Sequence, residues 1–248
     1  MDKIKKRIAG SVIVFLVLIS AVCIWYVNDY YHCEDCALDV LENNGFVEIS
    51  EIDEGYFLDG LGEDTALVFY PGAKVQAESY LPVLYKLAEQ GIDCFLVKMP
   101  CNLAFLGKDK ANEIIEEYEY ANWYMSGHSL GGAMAASYSA EHLEKLDGII
   151  FFAAYTTESL DAEDFSVLSI YGSEDEVLNM EKVKEGRNLV PDAYTEVCIP
   201  GGNHAYFGNY GEQDGDGLAT LTQEEQQDKT VEAILRMING EEAETESK

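Results

Sequence analysis

Six short apolar runs, separated by segments with helical periodicity, most strongly constrain the fold of this 248-residue chain. Nearly continuous apolar runs are typical of strands buried on both faces of a parallel sheet. The runs are 65–70, 92–97, 122–125, 148–153, 167–171 and 194–199, and the helical segments are 79–89, 110–118, 130–143, 180–189 and 222–238. This alternation predicts an α/β protein with a mostly parallel, doubly wound sheet and helices on both faces.

Residues before and after this alternation predict three smaller features. Segments 46–52 and 56–58 alternate apolar and polar residues around Asp53-Glu54-Gly55, which predicts an antiparallel hairpin at a sheet edge. Residues 28–45 have the pattern of a helical lead-in to the domain at 46–240. The charged tail at 241–248 is predicted to be disordered.

The N-terminal segment 1–27 predicts a membrane anchor. Residues 8–27 carry no charge and are long enough, as a helix, to cross a bilayer. Basic residues precede this stretch and acidic residues follow it: Lys3, Lys5, Lys6 and Arg7, then Asp29, Glu34 and Asp35. The positive-inside rule therefore predicts a cytoplasmic N-terminus and an extracytoplasmic domain. A cleaved signal peptide is the alternative, but no Ala-x-Ala site follows the run.

The remaining chain is strongly acidic. After residue 27 it has 12 Lys and Arg residues against 45 Asp and Glu residues. Such a surface repels nucleic acid and anionic lipid headgroups, so we expect neither as a partner, and we expect a monomer. Outside the cytoplasm Cys33 could pair with Cys36, and Cys94 with Cys101, but the sequence leaves the pairing open.

The stretch Gly127-His128-Ser129-Leu130-Gly131 carries the strongest functional signal. An apolar run precedes it and a helix rich in small residues follows it. A sharp strand-to-helix turn with small neighbours exposes its serine, the arrangement called a nucleophile elbow. Ser129 is therefore predicted to be the nucleophile of a serine hydrolase.

A serine nucleophile needs a histidine base, and three of the four histidines are poorly placed. His32 adjoins the membrane segment, so we expect it on the wrong side of the domain. The side chain of His128 is expected to point away from Ser129. His142 lies about 20 Å down the following helix. His204 remains, in a loop at the carboxyl end of the last strand, the edge at which open α/β sheets bind ligands.

The carboxylate that orients the histidine is expected after the strand at 167–171. Asp175 is favoured over Glu174 and Glu176, because a turn opened by Gly172 brings the fourth residue back over the sheet edge. The order Ser129, Asp175, His204 is that of α/β hydrolases.

Two backbone amides are expected to form an oxyanion hole. The Leu130 amide is one, since it follows the serine at a helix N-terminus. The Ala73 amide, in the loop after the strand at 65–70, is the other, with that of Lys74 as the alternative. The residues predicted to border the substrate are Gly72, Lys74, His128, Phe105, Tyr206 and Phe207.

Five motifs in this order resemble the α/β-hydrolase superfamily, and within it the membrane-tethered bacterial members of the alpha/beta hydrolase fold-5 family. The resemblance covers about 65–238 and rests on 69–72, 99–105, 127–132, 172–175 and 201–208. It implies an eight-stranded sheet and hydrolysis of a carboxylic ester or related acyl bond without a cofactor or metal. Pro71 stands where many members have a histidine. Only residues 155–165 occupy the position of the usual helical lid, so a minimal lid is expected.

Two alternative functions remain at this point. The same Ser-Asp-His set is also compatible with a peptidase or amidase. A catalytically inert scaffold that acts as a surface binding protein is the alternative from another class. A dehydrogenase is not favoured, because no Gly-x-Gly-x-x-Gly follows the first strand.

Overall fold

An eight-stranded sheet forms the centre of the fold. The computed structural model describes residues 2–42, 45–62, 64–192 and 194–240; the predicted tail at 241–248 lies outside them. The strands are β1 (Glu48–Ile52), β2 (Gly55–Asp59), β3 (Thr65–Tyr70), β4 (Asp93–Val97), β5 (Asn122–His128), β6 (Gly148–Phe152), β7 (Ser166–Gly172) and β8 (Tyr194–Ile199). Their order across the sheet is β1-β2-β4-β3-β5-β6-β7-β8.

Strands β3 to β8 are parallel to one another, and β1 and β2 form an antiparallel hairpin at one edge. Glu48 pairs with Asp59 and Ile52 with Gly55, so the hairpin predicted around Asp53-Glu54-Gly55 is confirmed. All six apolar runs form parallel strands, which confirms the predicted sheet.

Helices cover both faces of the sheet. In chain order the helices of the described residues are α1 (Asp2–Asn28), α2 (Asp35–Leu38), α3 (Leu81–Ala88), α4 (Ala111–Glu117), α5 (Leu130–Glu141), α6 (Met180–Gly186) and α7 (Gln223–Ile238), and α1 does not take part in covering the sheet. A hydrophobic core lies on each face of the sheet, and alternate side chains of β3 pack into one core or the other. Leu67 and Phe69 pack with α3 and α7, whereas Ala66, Val68 and Tyr70 pack with α4 and α5. Burial on both faces explains why β3 reads as one apolar run.

No helix covers the carboxyl edge between β6 and β7. Residues 153–165 link the two strands without a helix or a strand, so the expectation of a minimal lid is confirmed.

Helix α1 is long and apolar enough to cross a membrane, on length and composition alone. Gly10–Asn28 has a mean hydropathy of 2.5, and none of it is buried against the rest of the protein. This is the segment from which the sequence predicts an anchor.

The lead-in after α1 differs from its prediction. Between Asp29 and Glu42, a stretch that the structure describes throughout, α-helix is confined to Asp35–Leu38 and is followed by a 3-10 turn at Asp39–Glu42. Before it, Tyr31 pairs with Val75 in the loop after β3: its amide donates to the Lys74 carbonyl (2.7 Å), and its carbonyl accepts from the Gln76 amide (2.9 Å). The lead-in therefore lies along the carboxyl edge of the sheet.

This position corrects one premise of the sequence analysis. His32 does not lie on the far side of the domain, because its neighbour Tyr31 is bound to the loop that carries Ala73. Its own side chain is exposed and contacts the Tyr30 ring, with ring centroids 4.2 Å apart and the planes tilted by 41°. Irregular chain between two elements has no periodicity from which such pairing can be predicted.

None of the six cysteines, all of which fall in described segments, forms a disulfide in the structure. Cys94 is buried in β4, and burial raises the pKa of its thiol well above the usual value. Cys101 is exposed.

A capping box begins α7, and we expect its loss to destabilise the domain. Thr222 Oγ1 accepts from the Glu225 amide (3.2 Å), while Glu225 Oε2 accepts from the Thr222 amide (2.7 Å). Thr222→Ala removes the first bond, so the free energy of unfolding should fall by about 1 kcal/mol. Denaturant unfolding measures it, with Thr157→Ala at an exposed position as the control. Equal midpoints for the two variants would contradict the role of the cap.

Candidate active site

The turn from β5 into α5 holds Ser129 in a strained backbone conformation. Its φ is 52° and its ψ is −122°, a region that residues other than glycine rarely adopt. The Ser129 amide donates to the Phe152 carbonyl (3.0 Å), which fixes the turn against the end of β6. The serine is consequently presented at the carboxyl edge of the sheet, partly exposed.

Close backbone approach explains the small residues around the serine. A Cβ atom at Gly131 would lie 2.1 Å from the Tyr70 carbonyl oxygen and 2.3 Å from that of Pro71. A Cβ at Gly132 would lie 2.5 Å from the Cβ of Ala154. Only glycine permits α5 to begin this close to β3.

His204 and Asp175 form a buried pair beside this turn. His204 Nδ1 lies 2.8 Å from Asp175 Oδ2, and both side chains are 1% exposed. Asp175 Oδ1 accepts from the backbone amides of Val177 (2.9 Å) and Leu178 (2.7 Å). These bonds hold the carboxylate in one orientation, and Asp175 in turn orients the imidazole.

The other two acids of this turn are directed elsewhere. Glu174 is exposed, and Ser173 Oγ donates to its carboxylate (2.9 Å). Glu176 is exposed as well. Of the three acids weighed from the sequence, the structure places only Asp175 against His204.

Ser129, Leu130 and His204 line one cavity of about 220 Å³. Ala133, Val177 and Leu178 supply apolar wall. His204 Nε2 has no hydrogen-bond partner within the described segments. The cavity therefore brings together a partly exposed serine, an imidazole ring whose Nε2 has no partner among the described residues, and an apolar surface.

The two backbone amides predicted to form the oxyanion hole, those of Leu130 and Ala73, have no acceptor among the residues that the structure describes. Leu130 is the first residue of α5, where amides lack partners within the helix. In the loop after β3, the Gly72 amide donates to Tyr80 Oη (3.2 Å) and the Lys74 amide to the Asn102 carbonyl (2.8 Å). Of these three neighbouring amides, that of Ala73 has no acceptor among the described residues.

The six residues predicted to border the substrate do not lie together. His128 and Phe207 are buried, Tyr206 is half-buried, and Gly72 lies against the His128 ring. Phe105 is 54% exposed and lines a neighbouring depression with Met134. Lys74 points to the lead-in, with its ammonium 2.6 Å from Asp29. None of the six lines the cavity that holds Ser129.

Asp216 is a site residue that the sequence analysis missed. Its carboxylate accepts from the backbone amides of His204 (3.2 Å) and Ala205 (2.9 Å), and so holds the loop that carries the histidine. Gln226, fully buried on α7, supports the same loop through both polar backbone atoms of Asn203. Asp216 follows a Gly- and Asp-rich stretch without a motif, so only the three-dimensional contact reveals it.

Within 2–42, 45–62, 64–192 and 194–240, no group of three or more His, Cys, Asp or Glu side chains is arranged to hold a metal ion.

The buried ring of His128 packs beside that of His204 and supports the candidate site. Its Nδ1 lies 2.8 Å from Tyr80 Oη, and its ring centroid lies 4.4 Å from that of His204. Burial lowers the pKa of His128 well below the usual value, and the nearby His204 lowers it further. The folded protein therefore holds His128 in the neutral form.

We expect this buried histidine to make the fold sensitive to acid. Since unfolding restores the ordinary pKa of about 6.5, the unfolded chain binds a proton below that pH and the folded chain does not. The contribution of His128 to the free energy of unfolding is fully present above pH 6.5. It decreases as the pH falls, by up to about 2 kcal/mol between pH 7 and pH 5. His128→Asn should remove that part of the pH dependence, which unfolding curves at both values would measure. An unchanged pH dependence would contradict it.

Comparisons with known proteins agree with the fold described above. The sequence pattern of the alpha/beta hydrolase family matches residues 66–228. No curated protein matches the chain.

Similar solved structures include a predicted CIB-like hydrolase from Thermoplasma acidophilum (16% identity, TM-score 0.57, 77% of this chain and 98% of the other). They also include a dienelactone hydrolase from Anabaena variabilis, with 12% identity, a TM-score of 0.55, and coverage of 77% of this chain and 99% of the other. A third is alpha/beta hydrolase domain-containing protein 10 from mouse, with 10% identity, a TM-score of 0.58, and coverage of 79% of this chain and 99% of the other. At these identities the similarity shows the fold. Because the family pattern covers well over half of the chain, the protein belongs to the alpha/beta hydrolase family.

Proposed function

We propose that this protein is a membrane-anchored serine hydrolase that cleaves a carboxylic ester or a related acyl bond of a small molecule. One observation carries the proposal. The buried pair of His204 and Asp175, 2.8 Å apart, adjoins the cavity that Ser129 also lines. All three residues come from one chain, which is consistent with a monomer.

In this proposal Ser129 is the nucleophile and His204 its base. Ser129 Oγ attacks the acyl carbonyl carbon while His204 Nε2 takes the hydroxyl proton. Asp175 holds the ring with Nδ1 towards the carboxylate and stabilises the imidazolium that forms. His204 then passes the proton to the leaving group as the bond to the acyl carbon breaks, and an acyl-enzyme remains.

The amides of Leu130 and Ala73 would bind the oxyanion. Each lacks an acceptor among the described residues, and Leu130 lies at the N-terminus of α5, where the helix dipole favours negative charge. Removal of such a donor in other enzymes costs about 10²- to 10³-fold in kcat. Water activated by His204 would then hydrolyse the acyl-enzyme.

An ester is the substrate class that this site favours. The minimal lid leaves the cavity accessible to water, which must enter to complete hydrolysis. Among the structures with this fold, the dienelactone hydrolase is named for a lactone, which is a cyclic ester.

The N-terminal helix would hold the domain on the outer side of the membrane. Four basic residues lie before the apolar segment and acidic residues follow it, so the positive-inside rule places the N-terminus in the cytoplasm. Trp25 and Tyr26 stand near the end of α1, where aromatic residues favour the membrane–water interface.

A fluorophosphonate probe tests the proposed nucleophile. An activated serine displaces fluoride from phosphorus and becomes labelled, so the wild-type protein should label. Ser129→Ala should abolish the labelling, and His204→Ala should slow it by about 10³-fold or more, because the base is lost. Ser126→Ala, at a buried serine of β5, is the matched control. Labelling that survives Ser129→Ala would exclude this serine, and no labelling of the folded wild type would favour an inert scaffold.

Asp216 should act as a positioning residue for His204. The two oxygens of Asp216 accept from four backbone amides, those of His204 and Ala205 among them, and Asp216→Asn leaves one oxygen acceptor. We therefore expect kcat to fall by about tenfold, equivalent to about 1.4 kcal/mol, with little change in KM. Hydrolysis of a short ester measures both constants. Asp214→Asn, at an exposed position in the same loop, is the control. A change in KM alone would argue against a role in positioning the base.

A further inference from the structure

The end of α1 contacts the same edge of the sheet that carries the candidate site. The Lys74 ammonium lies 4.8 Å from the centre of the Tyr26 ring and 2.6 Å from the Asp29 carboxylate. Helix α1 also contacts the 3-10 turn at Pro100–Asn102. Both loops border the site, since Lys74 directly follows Ala73 and its amide donates to Asn102.

The connection between α1 and the domain is too short to let the carboxyl edge of the sheet turn away from the end of α1. Helix α1 ends at Asn28, and Tyr31 already pairs with Val75. Three extended residues span at most about 11 Å. If α1 crosses the bilayer, as the proposed function holds, the carboxyl edge must lie beside the lipid headgroups.

Large apolar side chains are exposed on two segments that contact elements of the candidate site. Leu106 is 51% exposed, and its 3-10 turn at Ala104–Leu106 packs against α5, the helix that begins after Ser129. Leu218 is 81% exposed on the other segment. It follows Gly217, whose carbonyl accepts from the side chain of Asn203, the neighbour of His204. Apolar residues in these positions fit a lipid surface that continues from α1.

The cavity is small for a substrate with a long acyl chain. Its volume of about 220 Å³ lies below the roughly 300–1,000 Å³ of pockets that enclose drug-sized ligands. It has room for the ester group and a few carbons. A longer acyl chain would have to remain outside the protein, and the bilayer is the apolar medium beside the mouth.

We infer that the carboxyl edge rests on the phospholipid bilayer, with Leu106 and Leu218 in its headgroup region, and that the substrate is an acyl ester held in that leaflet. The inference deepens the proposed function and rests on it. The ester group enters the cavity from the membrane surface, while the rest of the acyl chain stays in the lipid.

Tryptophan quenching tests the orientation without any need for activity. The full-length chain with Trp25→Phe is reconstituted with its domain on the outside of phosphatidylcholine vesicles that contain brominated lipid, which quenches tryptophan on contact. Leu106→Trp and Leu218→Trp should lose fluorescence. Leu61→Trp should not, because Leu61 is 69% exposed near Gly91, at the opposite edge of the sheet. Equal fluorescence at all three positions would overturn the orientation.

A pair of aspartate variants tests the substrate class. Leu106→Asp should lower hydrolysis of a long-chain monoacylglycerol in phosphatidylcholine vesicles by roughly tenfold, as expected from one lost leucine contact with lipid. It should leave the hydrolysis of soluble p-nitrophenyl butyrate unchanged. Leu61→Asp, the matched control, should change neither rate.

The outcomes separate this inference from the function on which it rests. If the wild type cleaves the soluble ester but not the vesicle ester, or if the two aspartate variants behave alike, the membrane-borne substrate is wrong and the hydrolase stands. Cleavage of neither ester would overturn the proposed function and the substrate class together, and quenching would still decide the orientation.

Discussion

Backbone contact that admits no side chain holds α5 against the end of β3, and the candidate site is built around this contact. Gly131 lies so close to the carbonyl groups of Tyr70 and Pro71 that a single Cβ atom would overlap both. The contact forces the chain through the strained turn at Ser129. It also brings the first amide of α5 next to the loop of Ala73, so one steric constraint places the hydroxyl and both free amides at the same edge.

The loop that carries His204 is held by close backbone packing and by side chains. A Cβ at Gly172 would lie 2.1 Å from the Gly202 carbonyl oxygen, and the Glu174 amide donates to the same oxygen (2.8 Å). Asp216 and Gln226, which are distant in sequence, add hydrogen bonds from their side chains. Asp175, on the turn after β7, adds the bond to the ring itself. Hydrogen bonds to charged groups contribute about 1.5–3 kcal/mol each. Both halves of the candidate site therefore depend on a glycine at a close backbone contact, and the His204 loop depends in addition on these side-chain hydrogen bonds.

The sequence was informative where a structural constraint leaves a pattern in consecutive residues. Burial on both faces makes a strand such as β3 apolar throughout. The glycines around Ser129 form a short motif, although Gly131 meets its close contact at Tyr70 and Pro71, far away in sequence. Elimination among four histidines identified His204, which the structure pairs with Asp175. The contact of Asp216 with the His204 loop, and that of Tyr31 with Val75, leave no periodic or motif signal. Each joins irregular segments, so the sequence alone could not predict them.

The contact of Tyr31 with Val75 connects helix α1 to the edge of the sheet that carries the candidate site. The domain carries a large excess of negative charge, which anionic headgroups repel, so electrostatics alone would not hold any face of it near a membrane. A long flexible tether would leave the domain free to turn its acidic surface in any direction. A connection of three residues, closed by backbone hydrogen bonds and by the Lys74–Asp29 pair, removes that freedom. Under the proposed anchoring, the orientation of the site is set by hydrogen bonding at the end of one helix, and not by attraction between the domain and the lipid.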